Sequence, residues 1–252
     1  MRWRWGFVLA LWAAAGGASA QTVAAVPDSG GADTAQQLSN PLASIISVPF
    51  QNNIDFGGRT SGTNYLLNVQ PVVPIKLTSN LTLIARTILP IRDSGGDFGL
   101  GDASESLFLS PRSGHGFTYG FGPIILLPTA TDHALGSHQL GLGPTAVVVQ
   151  KVGPVLFGVL ANHVWSVSGT PQDKEKLDAT FIQPFVSYTF PTKTTIALNT
   201  ESTDDWTARQ WTVSVNIFIN QLVTIDGQQI QFGVGPVTSP WGHPAPKGGG
   251  FG

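Results

Sequence analysis

The chain has 252 residues, no cysteine, a net charge of −2 and charged side chains at only 11% of its positions. Without Cys there is no disulfide framework, and without a basic excess there is no electrostatic footprint for a nucleic-acid partner. A mean hydropathy of +0.13 with so few charges leaves polarity to Ser, Thr, Asn and Gln, which suit a hydrated interior or one face of a strand.

Arg2 and Arg4 precede an apolar run over residues 7–15 and the small triplet Ala18-Ser19-Ala20. This is the pattern of a cleaved secretory signal, residues 1–20, with the mature chain starting at Gln21. The run is too short for a membrane helix, which takes about 20 apolar residues. Residues 21–36, rich in Ala, Gly and Asp and without a period, read as a flexible N-terminal arm.

From residue 37 to residue 235 a two-residue period takes over, and a single domain is expected. Eleven strands are expected, near 42–51, 64–73, 81–91, 103–110, 116–126, 139–151, 155–166, 179–190, 194–200, 209–223 and 228–235. The clearest begins at Trp211, where Val213, Val215, Ile217 and Ile219 share one face and Thr212, Ser214 and Asn216 the other. Long connections (52–63, 92–102, 127–138, 167–178, 201–208) alternate with short ones (74–80, 111–115, 152–154, 191–193, 225–227). That parity predicts an all-β fold, an up-and-down antiparallel transmembrane β-barrel with brief periplasmic turns and longer external loops.

Strand phase assigns the faces. Tyr65, Leu67, Val69 and Val73 are expected against lipid, as are Ile182, Val186, Tyr188 and Phe190. The opposite phase nominates lumen-lining residues: Asn68, Gln70, Arg86, Asn162, Gln183, Asn199, Glu201, Ser214 and Asn216. Arg86 at the lipid side would cost about 2–4 kcal/mol at mid-bilayer, which places it inside. Phe117, Tyr119, Trp165, Tyr188, Phe190, Trp206 and Trp211 fall near strand ends, as interfacial girdles do. Phe181 and Phe185 share the inward phase of Gln183 and lend the route an apolar side.

Chemistry is sparse. Asn162, His163 and Ser166 invite a hydrolase reading, but His163 has the opposite phase from the other two, so no nucleophile–base contact forms within the strand. His133 and His138 beside Asp132 match no zinc spacing, and the glycine-rich stretch 96–101 lacks the Lys and helix of a phosphate loop. No catalytic residue, metal or cofactor is expected.

Several blocks carry a resemblance: Gln37 to Asn53, Arg86 to Ile91, Leu127 to Asp132, Leu160 to Trp165 and Leu198 to Thr203. In this order, over residues 37–235, they resemble a family of uncharacterised bacterial outer-membrane barrel proteins. Members are often labelled transporters, or mislabelled neuromedin U, and the family is similar to phenol-degradation meta-pathway outer-membrane proteins. The resemblance implies a barrel of about 12 strands in the bacterial outer membrane, inserted by the barrel-assembly machinery and surrounded by outer-membrane lipid. It leaves the solute open. Such proteins continue past the block like Phe232 to Gly235 into one more strand, whereas here residues 236–252 bring Pro236, Pro240, Pro244, Pro246 and a closing Gly run. Pro cannot donate to a ladder, so these residues are expected to be a disordered tail, the last strand to be missing, and a one-base frame shift near the codons for Gly235 and Pro236 to account for it.

The function expected is a channel or transporter for small, hydrophobic or aromatic solutes. A non-transporting structural barrel and a soluble periplasmic β-protein that binds a small ligand are the alternatives.

Overall fold

The computed structural model describes residues 6–14, 30–56, 63–94, 96–114, 116–169, 171 and 174–242. Its strands are β1 Gly6–Ala14, β2 Ser47–Phe56, β3 Thr63–Val69, β4 Val72–Lys76, β5 Leu81–Ser94, β6 Asp97–Leu100, β7 Ala103–Pro111, β8 Phe117–Leu127, β9 Leu140–Val152, β10 Val155–Ser168, β11 Asp178–Thr189, β12 Thr194–Asp205, β13 Gln210–Ile225 and β14 Gln228–Gly242. One helix, α1, spans Gly30–Leu38.

All the strands belong to one antiparallel sheet that closes on itself, because β1 pairs with both β14 and β2. Two breaks do not add staves. β3 and β4 pair with β5 in one continuous register across Gln70 and Pro71, where Pro71 has no N–H to give. β6 and β7 both pair with β5, slipping by one residue at Gly101 and Asp102. The fourteen strands therefore make a barrel of twelve staves.

The short turns follow from local chemistry. Asp226 and Gly227 both have positive φ, 49° and 78°, between the paired Ile225 and Gln228, the requirement of a tight two-residue hairpin. Gly153, at φ 56°, does the same work between Val152 and Val155.

Alternation sets the faces. On β9, Thr145, Val147 and Val149 are buried while Leu142, Val148 and Ala146 are exposed. On β11, Ser187 and Thr189 are buried while Ile182, Val186 and Tyr188 are exposed. Exposed apolar side chains continue round the outside through Ile196, Leu198, Ile217, Ile219, Phe232 and Val234. So large an apolar exterior is not that of a water-soluble monomer. The interior holds an apolar cluster of Leu42, Val72, Ile84, Phe108, Val147, Val149, Leu156 and Leu160, with Phe181 and Phe185 packed against it.

Five expectations need correction. Residues 30–36 are largely helical rather than a loose arm, because Ala35, Gln36 and Leu38 find burial. The first barrel strand of the expected set begins at Ser47 rather than at residue 42, since Leu42 and Ala43 are drawn inside as buried residues ahead of it. The long connections expected at 92–102 and 201–208 are partly strand, as β5 and β6 continue their hairpin to Ser94 and Asp97 and β12 runs to Asp205. Strand pairing passes Gly235 to Gly242, because Pro240 falls at the irregular step of the β13 ladder between Val215 and Val213 and Pro236 in the gap of that ladder between the Asn216–Val237 and Ile219–Val234 pairs. Finally, the sheet has no open edge pair: Gly6–Ala14, from the segment read as a signal, supplies the closing strand. Residues 15–29 and 243–252 lie outside the described residues.

Candidate functional site: the barrel interior

The strand phase that buries apolar residues near the short turns turns polar farther up. On one wall Arg86 donates from Nη2 to Gln70 Oε1 (3.0 Å), Gln70 Nε2 donates to Gln51 Oε1 (2.8 Å), and Gln51 Nε2 donates to Asn53 Oδ1 (3.4 Å). Asn68 lies directly opposite Gln51 across the β2–β3 ladder and so shares its face. On the facing wall Gln183 Nε2 donates to Glu201 Oε1 (3.1 Å) and Asn216 Nδ2 to Asn199 Oδ1 (2.8 Å). Ser214 is the cross-strand partner of Glu201, and Asn162 shares the phase of the buried Leu156 and Leu160.

Eight of the nine sequence-nominated residues thus fall into two groups, Asn68, Gln70 and Arg86 on one wall and Gln183, Asn199, Glu201, Ser214 and Asn216 on the other, while Asn162 shares only their inward phase. Arg86 on β5 and Glu201 on β12 lie on opposite walls, since their strands stand half-way round the twelve-stave barrel from each other. Gln51 belongs to the same network but was not foreseen, because its strand was expected to end there. The signal there was weak, since Gln51, Asn52 and Asn53 are all polar and no alternation marks which of them faces inward.

Each end of the barrel carries chain folded against it. At the short-turn end α1 packs beside β11, β12 and β13, burying Ala35 and Leu38 against Leu222. Gln36 Nε2 donates to the Gly153 carbonyl (2.9 Å), and Asp33 pairs with Lys151 (3.2 Å). The Lys193 side chain lies over Gly31, where a Cβ would fall 2.4 Å from Lys193 Cε, a flexible tip that can move aside. Leu42 then reaches Phe108 and Gly120 within the interior cluster.

At the long-loop end Asp102 gathers the 128–139 segment. Its Oδ2 accepts from Ser137 N (2.6 Å), Ser137 Oγ (2.7 Å) and His138 N (3.1 Å), while Oδ1 accepts from Ala130 N (3.2 Å). Gln139, fully buried, ties this segment to the next loop through Glu175 O (2.7 Å) and Leu177 N (3.0 Å). His133 and His138 stack at 5.5 Å, and among the described residues no group of three or more His, Cys, Asp or Glu side chains is placed to hold a metal.

The aromatic residues form two belts. Phe117 with Tyr119 (5.7 Å) and Tyr188 with Phe190 (4.7 Å) lie beside short turns, and Trp165, Trp206 and Trp211 lie toward the long loops, all of them exposed. A closed up-and-down antiparallel β-barrel, apolar outside and polar within, belted by aromatics, defines the class: a transmembrane β-barrel. The crystal structure of an outer membrane channel from Pseudomonas putida F1 has the same fold, with a TM-score of 0.51 and 14% identity over 94% of this chain and 95% of that one. No protein-family model and no curated protein sequence matches the chain.

Proposed function

We propose that this protein is an outer-membrane channel for small solutes, with its short turns in the periplasm and its long loops outside. The observation that carries this reading is the inward polar pair of walls, Arg86–Gln70–Gln51 facing Glu201–Gln183, inside a closed barrel whose outer face is apolar. Similarity in fold to an outer membrane channel supports it. Opposite charges on facing walls bias which ions and dipoles pass, as charged rings do in other pores. Phe181 and Phe185, packed on the interior cluster, favour small aromatic or other hydrophobic solutes as the cargo. Outer-membrane lipid and the barrel-assembly machinery are the partners this placement requires.

The test is reconstitution in planar bilayers and liposomes with a panel of neutral, charged and aromatic solutes. Arg86→Gln is expected to shift ion selectivity toward cations and Glu201→Gln toward anions, read as opposite displacements of the reversal potential. Identical selectivity in both variants would remove these walls from the conduction path.

A second reading is a structural barrel that conducts nothing. The burial of Leu42 among Val72, Ile84 and Phe108 favours it. Absence of solute flux from the parent and from a variant lacking residues 30–46 would establish it.

A further inference from the structure

Arg86 and Glu201 face one interior from opposite walls, and each keeps bonding capacity that the protein does not fill. The Arg86 guanidinium has several donors and gives one, from Nη2, to Gln70, while the Glu201 carboxylate accepts at Oε1 from Gln183 and keeps Oε2. No ion pair joins the two side chains, the salt bridges among the described residues being Lys151–Asp33 and His163–Asp178. The polar atoms that Arg86 and Glu201 leave over are open to the interior and not sealed against neighbouring chain.

Space lies between the walls. Ala197, Asn199 and Glu201 run up β12 on the inward phase, and all three stay partly exposed inside a closed barrel, as does Arg86 on β5. Phe185 lies opposite Asn199, yet its ring leans the other way, over β10, where an ideal Cβ on Gly158 would fall 2.7 Å from Phe185 Cζ. The inner face of β12 is thereby left clear. Phe181 and Phe185 stand two residues to either side of Gln183 on the same face, so both rings are diagonal neighbours of Glu201 across the β11–β12 ladder. A free guanidinium edge, a free carboxylate oxygen and two aromatic rings therefore border one hydrated space.

We propose that this space binds a zwitterion with an apolar side group, an α-amino acid with an aromatic or large aliphatic side chain, its carboxylate on Arg86, its ammonium on Glu201 and its side chain against Phe181 and Phe185. The proposal rests on the channel reading above and deepens it by naming the chemistry of the cargo. A guanidinium with free N–H groups takes a carboxylate through charge-assisted hydrogen bonds, and a free carboxylate oxygen accepts from an ammonium. Each charge of the zwitterion meets its opposite, whereas a lone cation or anion satisfies one wall and is repelled by the other. A neutral hydrocarbon displaces water from both charged groups and returns no hydrogen bond.

The experiment uses the whole protein in detergent, with L-phenylalanine as probe and 3-phenylpropionate, phenethylamine and glycine as analogues that lack the ammonium, the carboxylate and the ring, and follows binding by calorimetric titration. Phenylalanine is expected to bind saturably and about tenfold more tightly than any of the three. Arg86→Gln should bring its affinity down to that of phenethylamine, and Glu201→Gln down to that of 3-phenylpropionate, with heat-modifiable migration confirming that each variant is folded. Should either variant fail to fold, the analogue series on the parent protein decides alone. Equal binding of phenylalanine by the parent and both variants overturns the proposal, and so does a parent that binds glycine or either singly charged analogue as tightly as phenylalanine. Planar-bilayer recording separates the two readings: ion current with no preference for phenylalanine overturns this proposal and leaves the channel intact, whereas saturable phenylalanine binding without ion current supports the site and removes the channel.

Discussion

At Gly143 the smallest side chain already meets backbone, with the His163 carbonyl oxygen 1.6 Å from where a Cβ would sit. Because the obstacle is main chain and not a flexible tip, Gly143→Ala is expected to lower the folded fraction sharply. Gly114→Ala, with nothing within 4 Å of its Cβ position, should leave it unchanged, with both read as the heat-modifiable band after refolding into detergent. Depth decides a second pair. Ile217, mid-strand and exposed on β13, should tolerate Arg poorly, at about 2–4 kcal/mol. Ile225, equally outward but beside the Asp226–Gly227 turn, should lose only about 0–1 kcal/mol by the same substitution, as denaturant titration in detergent or lipid can measure. The inward phase of Arg86 and Glu201 was legible in the sequence, since a guanidinium or a carboxylate facing hydrocarbon is too costly to sustain. Their partners were not, because a period of two says which face a residue takes and nothing about which inward side chains meet.

Among the elements, α1 is held mainly by what it buries. The Asp33–Lys151 pair is exposed, and such pairs contribute about 0–1 kcal/mol. Ala35 and Leu38 are almost wholly buried against Leu222. Lys151→Ala is therefore expected to leave single-channel conductance near the parent value, while Leu38→Asp should release the helix and raise conductance or open probability. If the lysine variant has the larger effect, the helix is held electrostatically instead. The eleven strands announced themselves because lipid on one side and polar contents on the other write a simple alternation, and the hairpin at Asp226–Gly227 followed from its turn chemistry. The helix did not, since its buried side, Ala35, Gln36 and Leu38, is short and partly polar, and isolated helices of this length are marginal without the tertiary surface that stabilises them here.

For the molecule as a whole, closure depends on β1. Without it β2 and β14 would each present a free edge, and an unsatisfied backbone group in hydrocarbon costs several kcal/mol. A chain starting at Gln21 is expected to give less heat-modifiable barrel on refolding than the full chain, and equal yields would mean that the seam closes by another route. The odd count of eleven left one stave to be found, and the structure places it in β1 and not after Gly235, where the last strand was expected. The sequence did not indicate the substitute, since an apolar run such as 7–14 lacks the alternation by which the other staves declared themselves.

The pairing of Gly6 with Val237 also dictates an order of events in time. The neighbouring β9–β10 and β13–β14 ladders begin at Val152 with Val155 and at Ile225 with Gln228, contacts that a few residues of chain can reach almost at once. Joining the two ends of so long a chain carries a larger loop-closure entropy, by about 4 kcal/mol if it were attempted from the unfolded state. The sheet must therefore grow hairpin by hairpin and curl before its ends meet, which makes the last seam the slow step of assembly and the half-curled sheet the species most exposed to aggregation.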